Sequence, residues 1–438
     1  MKELKVSEKR LSKVAKKVHD KNDNITPVEH SNTNKIPANK ITNDEIINAK
    51  YIIDQLIVEP SPCKLVGGKY LFFTNYHSKQ ELFNCYKKQA YDPISYTSFL
   101  NYYHLICPNK EVRSKKYDVC NKCIELRFKL QLGNDVNIRN ELKNHQDEAN
   151  QRRMVYEEDK KLNIDGTIKV YSFDFKSNIL IPSSTYQPNL YYFKSKLNSY
   201  CFDIADELEG NHYIKIFSEL TCDKTADSIC TFLYQHLLSN NADHIIFWAD
   251  NCAAQNKNKY VIAFIHLMVE LNFCKTIRLK FMIAGHTHFS PDRSFGWISK
   301  KQNACDLFTV DDVVDLCNSS STSISAEKYE DFYNWREYFE VNYNTVDNIS
   351  KCGEFCVDHR KLGYVFQSEK LLNSTVYPEI EKYDSCLHLT HDKSGTDIEL
   401  GNKEKMKLSQ NKIKDLKTLI EKGLIPKNSV NFYQDLFE

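Results

Sequence analysis

Three aspartates have the residue type and the sequence setting for metal-dependent chemistry. Asp174 lies in SFDFKS (172–177), Asp250 closes IIFWAD (245–250), and Asp292 lies in SPDRSFGW (290–297). Mg²⁺ and Mn²⁺ prefer carboxylate oxygen, and two such ions about 3.5–4 Å apart stabilise both the attacking and the leaving oxygen of a phosphodiester displacement. If the three acids converge, they support cutting or joining of a polynucleotide. Taken singly, they are an ordinary strand-end acid, a helix cap and a turn residue.

Two cysteines have the spacing of zinc ligands. Cys120 and Cys123 form a Cys-x-x-Cys pair, which predicts either a structural zinc site or a reduced pair packed beneath a helix. The chain has 15 cysteines. In an intracellular protein such a set indicates free core thiols or metal ligands rather than a disulfide framework.

A Gly-His-Thr-His segment at 285–288 contributes two histidines. His286 and His288 are candidates for supplementary ligands or general acid–base groups beside the acids, and structural histidines are an equal alternative. The same four residues occur in calcineurin-like metallophosphatases. Those enzymes also need Asp-x-His, Gly-Asp-x-x-Asp and Gly-Asn-His-Asp/Glu segments earlier in the chain, which this sequence lacks. A metallophosphatase-like hydrolase is therefore the third-ranked hypothesis.

Hydrophobic patterning predicts the elements that would position the three acids. Stretches rich in β-branched and aromatic residues predict strands, and apolar positions at helical spacing predict helices. The order β-β-β-α-β-α-β-α predicts an α/β fold with a mixed sheet and helical crossovers. The first seven predicted elements cover 168–175, 190–203, 212–220, 227–239, 244–250, 257–271 and 277–284.

That order is the ribonuclease H-like arrangement, which integrases and acidic-triad cut-and-paste transposases share. In this fold one carboxylate projects from the first strand, a second from the end of the fourth, and a third follows the fifth. Asp174, Asp250 and Asp292 occupy those three places. We therefore predict that they meet and hold Mg²⁺ or Mn²⁺.

Four segments occur in a fixed order: SFDFKSNILIP (172–182), YYFKSKLNSYCFDI (191–204), ADNCAAQNKN (249–258) and GHTHFSPDRSFGWI (285–298). This set resembles an uncharacterised family of eukaryotic transposon-derived proteins. The chain departs from the family pattern by Ala254 in place of a glycine and by Thr287 in place of a serine. The resemblance implies a ribonuclease H-like core that retains the acidic set.

The resemblance also implies auxiliary residues around the acids. Glu219, at the end of the third strand, is either an auxiliary ligand or a solvent-facing acid. Three amides beside Asp250 are expected at the start of a helix, where they position phosphate or a metal-bound water or cap the helix. These amides are Asn251, Gln255 and Asn256.

The resemblance extends to the cysteine pair. Family members carry such a pair followed by a helix with a histidine, which here is His145. Cys107, thirteen residues before Cys120, is the candidate fourth ligand of a structural Zn²⁺, and His104 is the other choice.

Chain length predicts several modules, because 438 residues exceed what one core usually organises. We predict a disordered basic tail at 1–43 and a helical region at 44–163 that holds the zinc motif and, between residues 80 and 105, a helix-turn-helix candidate. A ribonuclease H-like core at 164–345 and a C-terminal helical extension at 346–438 follow. The first 40 residues carry ten Lys or Arg against five acids, which suits a plain solvated tail, a DNA-contacting arm or a nuclear-import arm.

The longest apolar run, 261–269, falls far short of the roughly 20 residues that a membrane span needs, and the charged start is unlike a signal peptide. We expect a soluble intracellular protein that acts in the nucleus, with DNA and further copies of itself as partners. The leading hypothesis is a transposase- or integrase-like metal-dependent polynucleotidyl transferase or nuclease. The alternative is a domesticated, catalytically inactive relic that binds DNA or protein.

Overall fold

The computed structural model describes residues 41–60, 71–73, 76, 78–112, 119–133, 135–162, 166–240, 242–344, 349–375, 377–389 and 400–437. The predicted basic tail, apart from its last three residues, lies outside these ranges. The chain divides into two compact units, one of residues 1–60 with 69–115 and the other of residues 61–68 with 116–438. Each unit has its own hydrophobic core.

The smaller unit contains short helices and a three-stranded sheet. Ser78 and Ser95 accept backbone N–H bonds at the starts of two helices, which satisfies donors that a helix start leaves open. The pattern predicts one helix over 95–105, but the backbone leaves helical geometry at Tyr102 and divides it. The helix-turn-helix candidate thus has no continuous second helix. The elements are α1 (Asn43–Asp54), β1 (Val58–Pro60), β2 (Leu71–Phe73), α2 (Lys79–Gln89), α3 (Tyr96–Asn101), α4 (Tyr103–Ile106) and β3 (Lys110–Glu111).

The larger unit combines a ten-stranded sheet with helices. Its strands are β4 (Ile168–Phe175), β5 (Ile179–Ile181), β6 (Leu197–Asp206), β7 (His212–Ser218), β8 (His244–Ala249), β9 (Thr276–Phe281), β10 (Ile324–Lys328), β11 (Glu354–Asp358), β12 (Tyr364–Ser368) and β13 (Ser385–His388). Its α-helices are α5 (Asn121–Leu132), α6 (Val136–Asp159), α7 (Asn189–Phe193), α8 (Ala226–Ser239), α9 (Lys259–Glu270), α10 (Ser290–Gln302), α11 (Val310–Asn318), α12 (Trp335–Asn342), α13 (Gln410–Glu421) and α14 (Val430–Asp435).

The five central strands have the ribonuclease H-like topology predicted from the sequence. In the order β7-β6-β4-β8-β9, β6 is antiparallel to β4 and β7, whereas β8 is parallel to β4 and β9. Helices α8 and α9 provide the crossovers that lead into β8 and β9, as parallel neighbours require. The predicted fold class is confirmed. Beyond this core, β10 pairs with β7, β5 pairs with β6, and β11, β12 and β13 follow β9.

Helices cover both faces of the sheet. On one face, α8, α9 and α12 pack with strand residues such as Phe173 and Phe247. On the other face, α10, α11 and α13 pack on residues such as Ile214 and Ile216. Strand β8 is buried at every position, as expected for a central strand covered on both sides. Within the described ranges, no helix combines the length and the apolar character needed to cross a membrane.

Residues 190–203 differ from the prediction. The pattern predicts a single strand there, but the chain forms α7 after Pro188 and begins β6 only at Leu197. Tyr192 and Phe193 have the composition of a strand, yet their side chains are exposed. Aromatic content alone therefore misplaced the start of the strand.

The C-terminal extension predicted as helical at 346–438 also differs from the structure. Its first half contains β11, β12 and β13, which extend the main sheet beyond β9. These strands have four or five residues each, too few to show a clear period. The helix predicted at 410–422 is present as α13.

Candidate acidic site and Cys/His cluster

Asp174 and Asp250 occupy neighbouring positions at the carboxyl ends of two parallel strands. Strands β4 and β8 stay in register up to the pair Ser172 and Trp248, and two further steps along each strand reach Asp174 and Asp250. Side chains alternate between the faces of a sheet with a period of two. Both aspartates therefore project from the face that carries Ser172 and Trp248.

The charge of Asp292 acts on the pKa of both Asp174 and Asp250. Burial, the charge of Asp250 and then that of Asp292 raise the pKa of Asp174 to about 8, although the N–H of Phe175 donates to its carboxylate over 2.7 Å. Burial also raises the pKa of Asp250, and the charge of Asp292 adds to that rise. Asp250 and Asp292 are thus both near enough to Asp174 for their charges to raise its pKa.

Asp292 is carried by α10, a helix that covers one face of the sheet. It lies in the first turn of α10, its side chain is exposed, and its carboxylate accepts the N–H of Phe289 over 2.8 Å. An acid in this position satisfies an open donor and interacts favourably with the helix dipole. Local helix chemistry therefore orients the carboxylate of Asp292.

Two buried acids that the sequence analysis did not single out hold α10 against the sheet. Glu207 accepts the hydroxyl of Ser290 over 2.8 Å, and Asp203 accepts the hydroxyl of Ser294 over 2.5 Å. The two serines are four residues apart and therefore lie on the same side of the helix. The helical spacing of the two serines in SPDRS (290–294) indicates that they share a face of the helix. It does not identify the acids that they bind, which only the fold reveals.

Asn256 is the one predicted amide whose side chain bonds to an acid of the site. It is buried, and its Nδ2 donates to Oδ1 of Asp250, which also accepts the N–H of Cys252 over 3.2 Å. The helix expected here starts later, because Asn258 caps α9. The other two amides, Asn251 and Gln255, precede the helix in the 251–258 segment.

Glu219 pairs with the C-terminal helix and with Asn198. Its two carboxylate oxygens accept the ammonium of Lys412 over 2.6 and 2.8 Å, and the backbone N–H and side-chain amide of Asn198 over 2.9 and 3.0 Å. Lys412 lies on α13. Glu219 therefore ties the C-terminal helix to the end of β7.

The charge of a lysine that the sequence analysis missed acts on the pKa of Asp174. The charge of Lys224 partly offsets the burial that raises the pKa of Asp174, while burial lowers the pKa of Lys224 itself. The ammonium donates to the carbonyl of Lys176 and lies over the rings of Phe175 and Tyr200, 5.4 and 5.3 Å from their centroids. No motif surrounds this lysine in the sequence, so only the fold reveals it.

Four side chains of the larger unit form a compact Cys/His cluster, which consists of Cys120, Cys123, His145 and His286. Their sulfur and nitrogen ligand atoms all lie within 4.8 Å of one another. Sγ of Cys120 is 3.1 Å from Nε2 of His145, and Sγ of Cys123 is 3.4 Å from Nε2 of His286. In the part of the chain that the structure describes, no other group of three or more Cys, His, Asp or Glu meets this spacing, and the three aspartates are more widely separated.

The fourth member of the cluster is not the predicted residue. Cys107 belongs to the smaller unit and is buried in its core, and the fourth position is filled by His286. The prediction relied on proximity along the chain, whereas His286 is 163 positions from Cys123 and reaches it through the fold. His288, which has a φ of 51°, is outside the group.

Burial keeps both histidines of the cluster neutral. It lowers the pKa of His145, and together with the charges of His145 and His288 it lowers the pKa of His286 to about 4. Neutral imidazole is the form that binds metal ions. The donor set of two thiols and two imidazoles is chemically distinct from the three carboxylates.

Comparison with known proteins relates the chain to a domain family and to solved structures. Residues 208–375 match the model of a domain of unknown function, DUF7869. Among solved structures, the chain is similar to "Mos1 transposase paired-end complex with left transposon end", with a TM-score of 0.30 and 12% identity over 72% of this chain and 80% of that one. No curated protein matches the chain.

Proposed function

We propose that the larger unit is a transposase-like, metal-dependent nuclease or polynucleotidyl transferase that acts on DNA. The observation that carries the proposal is the register of β4 and β8, which are paired up to Ser172 and Trp248; this register supports a position for Asp174 near Asp250 at the carboxyl ends of the two parallel strands. Asp292 is close enough to raise the pKa of both. These are the three places at which the ribonuclease H-like topology displays its acids.

The donor set fits Mg²⁺ or Mn²⁺. All three side chains offer hard carboxylate oxygen, which these ions prefer. Burial and mutual repulsion make the set unfavourable without a cation, as the raised pKa of Asp174 indicates. Asp174 and Asp250 would hold the ions and Asp292 would complete the set. When bound, such ions stabilise charge on the attacking and leaving oxygens of a phosphodiester.

Other residues of the chain prepare the site. Asn256 donates to Asp250 and fixes the orientation of its carboxylate. Lys224 supplies a half-buried positive charge that acts on the pKa of Asp174 and can attract a phosphate of the DNA backbone. Ser290 and Ser294 keep α10, and with it Asp292, against the sheet.

The two competing hypotheses make different predictions. A catalytically inactive relic binds DNA or protein but shows no metal-dependent cleavage. A metallophosphatase needs His286 and His288 to converge with further histidines on a pair of metal ions. The position of His286 among two thiols and His145 favours a different role for that histidine.

The test is a nicking assay on supercoiled plasmid DNA with Mn²⁺, comparing the wild type with Asp250→Asn. The substitution keeps the size of the side chain but removes a charged oxygen donor, so we expect nicking to fall more than about 100-fold. Asp243→Asn is the matched control. Asp243 is an exposed acid at the opposite end of the same strand, paired with Lys275, and its variant should nick like the wild type.

Equal nicking by wild type and Asp250→Asn would remove the acids from the mechanism. A wild type that binds DNA, retains no Mn²⁺ in equilibrium dialysis and nicks nothing would establish the inactive relic instead.

A further inference from the structure

We propose that Cys120, Cys123, His145 and His286 bind one structural Zn²⁺, which fixes the segment between β9 and α10 and so positions Asp292. The first half of this inference is independent of the proposed function. The second half rests on it, because it gives Asp292 a role in the acidic site.

The geometry of the cluster suits zinc. Structural zinc sites are tetrahedral, with bonds of roughly 2.3 Å to sulfur and roughly 2.0 Å to nitrogen, so a sulfur and a nitrogen on one ion lie about 3.5 Å apart. The two measured sulfur–nitrogen distances are 3.1 and 3.4 Å, and all four ligand atoms lie within 4.8 Å of one another. Two thiols and two imidazoles are the Cys₂His₂ donor set of closed, structural sites.

The four ligands come from two consecutive helices and from one segment far along the chain. Cys120 directly precedes α5 and Cys123 lies in its first turn, while His145 lies in α6, which packs against α5. His286 lies in the segment that joins β9 to α10. An ion held by all four therefore fastens the helical hairpin to the connection that leaves the central sheet.

Gly285 allows the backbone of this connection to pass close to the backbone of Cys120. Its φ is +75°, and a Cβ placed on it would lie 2.5 Å from Cα of Cys120. Any other residue would be both strained in that conformation and in collision with backbone. The same segment is held from α6 by Arg153, whose guanidinium donates to the carbonyl of Thr287.

The consequence for the acidic site follows from sequence distance. Asp292 lies only six residues after His286, in the first turn of α10, and its carboxylate bonds to the N–H of Phe289 within the same segment. Ordering His286 on a metal ion thus limits the freedom of the chain that leads to Asp292. Zinc here positions an acid and takes no part in the reaction.

Zinc content of the purified full chain, produced with zinc in the medium, tests the first half. We expect one zinc per chain by elemental analysis, and loss of most of it in Cys123→Ser and in His286→Ala. His288→Asn and Cys386→Ser are matched controls, since His288 is outside the cluster and Cys386 is exposed; both should keep the metal. Should His286→Ala fail to fold, His286→Cys, which preserves four ligands, is expected to fold and retain zinc.

Two results would overturn the zinc site. One is a wild-type chain without zinc whose Cys120 and Cys123 are joined as a disulfide in mass spectrometry. The other is a His286→Ala chain that keeps its full zinc content.

Mn²⁺ binding at the acidic site, followed by the electron paramagnetic resonance signal of free Mn²⁺, tests the second half. We expect His286→Ala to weaken Mn²⁺ binding about 10-fold or more, whereas Cys386→Ser, at an exposed position, leaves it unchanged. Unchanged Mn²⁺ affinity in a zinc-free His286→Ala chain would overturn the positioning role. If the wild type binds zinc but no Mn²⁺, the proposed function fails and the zinc site stands.

Discussion

At the scale of single residues, Asp174 is held where its own charge is disfavoured. Burial and the neighbouring charges of Asp250 and Asp292 raise its pKa to about 8. A protein under selection for stability alone would replace such an acid, because repulsion among like charges in a half-buried site lowers the stability of the fold. Strongly perturbed acids that cluster in this way are typical of functional sites.

The raised pKa of Asp174 makes the metal-free chain less stable as the pH rises. Between about pH 4 and pH 8 the folded state binds a proton at Asp174 that the unfolded state releases, so the stability contributed by this group is complete below pH 4 and is lost as pH rises towards 8. Asp174→Asn removes that loss and keeps an oxygen to accept the N–H of Phe175. With chelator present at pH 8, we expect the variant to be more stable than the wild type by about 2 kcal/mol, a value reduced for solvent screening.

Urea unfolding at pH 5 and pH 8 measures this effect. The difference between variant and wild type should grow with pH. Asp243→Asn serves as the comparison, because Lys275 lowers the pKa of Asp243 on the surface and its loss should not stabilise the fold. A variant at position 174 that is less stable than the wild type at both pH values would show that the acid is structurally required.

At the scale of elements, α10 connects the two candidate sites. Its first turn carries Asp292, the segment before it carries His286, and Ser290 and Ser294 bind buried acids of the sheet. Because Asp203 is fully buried, its carboxylate depends on protein partners. The helix is thus anchored by polar contacts with a required geometry, in addition to apolar packing.

Ser294→Ala tests this anchoring. The substitution removes the hydroxyl donor from Oδ2 of Asp203, which keeps its contact with Nδ1 of His212 over 2.7 Å. We therefore expect a loss of roughly 0.5–1.5 kcal/mol in the free energy of unfolding, together with weaker Mn²⁺ binding because Asp292 is on the same helix. Ser299→Ala, on the same helix and only partly buried, is expected to change neither quantity. Weaker stability with unchanged Mn²⁺ affinity would limit Ser294 to a structural role.

The order of the central elements could be predicted from the sequence because long strands such as β4 and β8 have unmistakable apolar patterns, and helices α8 and α9 separate them. The three aspartates followed from that order. Asp203, Lys224 and the membership of His286 in the cluster could not be predicted, since each depends on contacts between segments far apart in the chain.

At the scale of the larger unit, the C-terminal segment is part of the core of the sheet. Leu416, Leu419 and Tyr433 are completely buried in the same cluster as Ile214 and Ile216 of β7. The hydroxyl of Tyr433 donates to the carbonyl of Phe308 over 2.6 Å. A segment that fills the core of the sheet should unfold together with it.

Leu419→Ala tests whether the C-terminal segment unfolds together with the sheet or independently of it. Removing a fully buried leucine side chain costs about 2–5 kcal/mol, and we expect the whole of that loss to appear in the urea midpoint of tryptophan fluorescence. Trp248, Trp297 and Trp335 are the three tryptophans of the chain and all belong to the larger unit. Lys414→Ala, exposed on the same helix, should leave the midpoint in place. An unchanged midpoint in Leu419→Ala would mean that α13 unfolds separately, and the buried contacts of the C-terminal segment would then add nothing to the stability of the sheet that carries the acids.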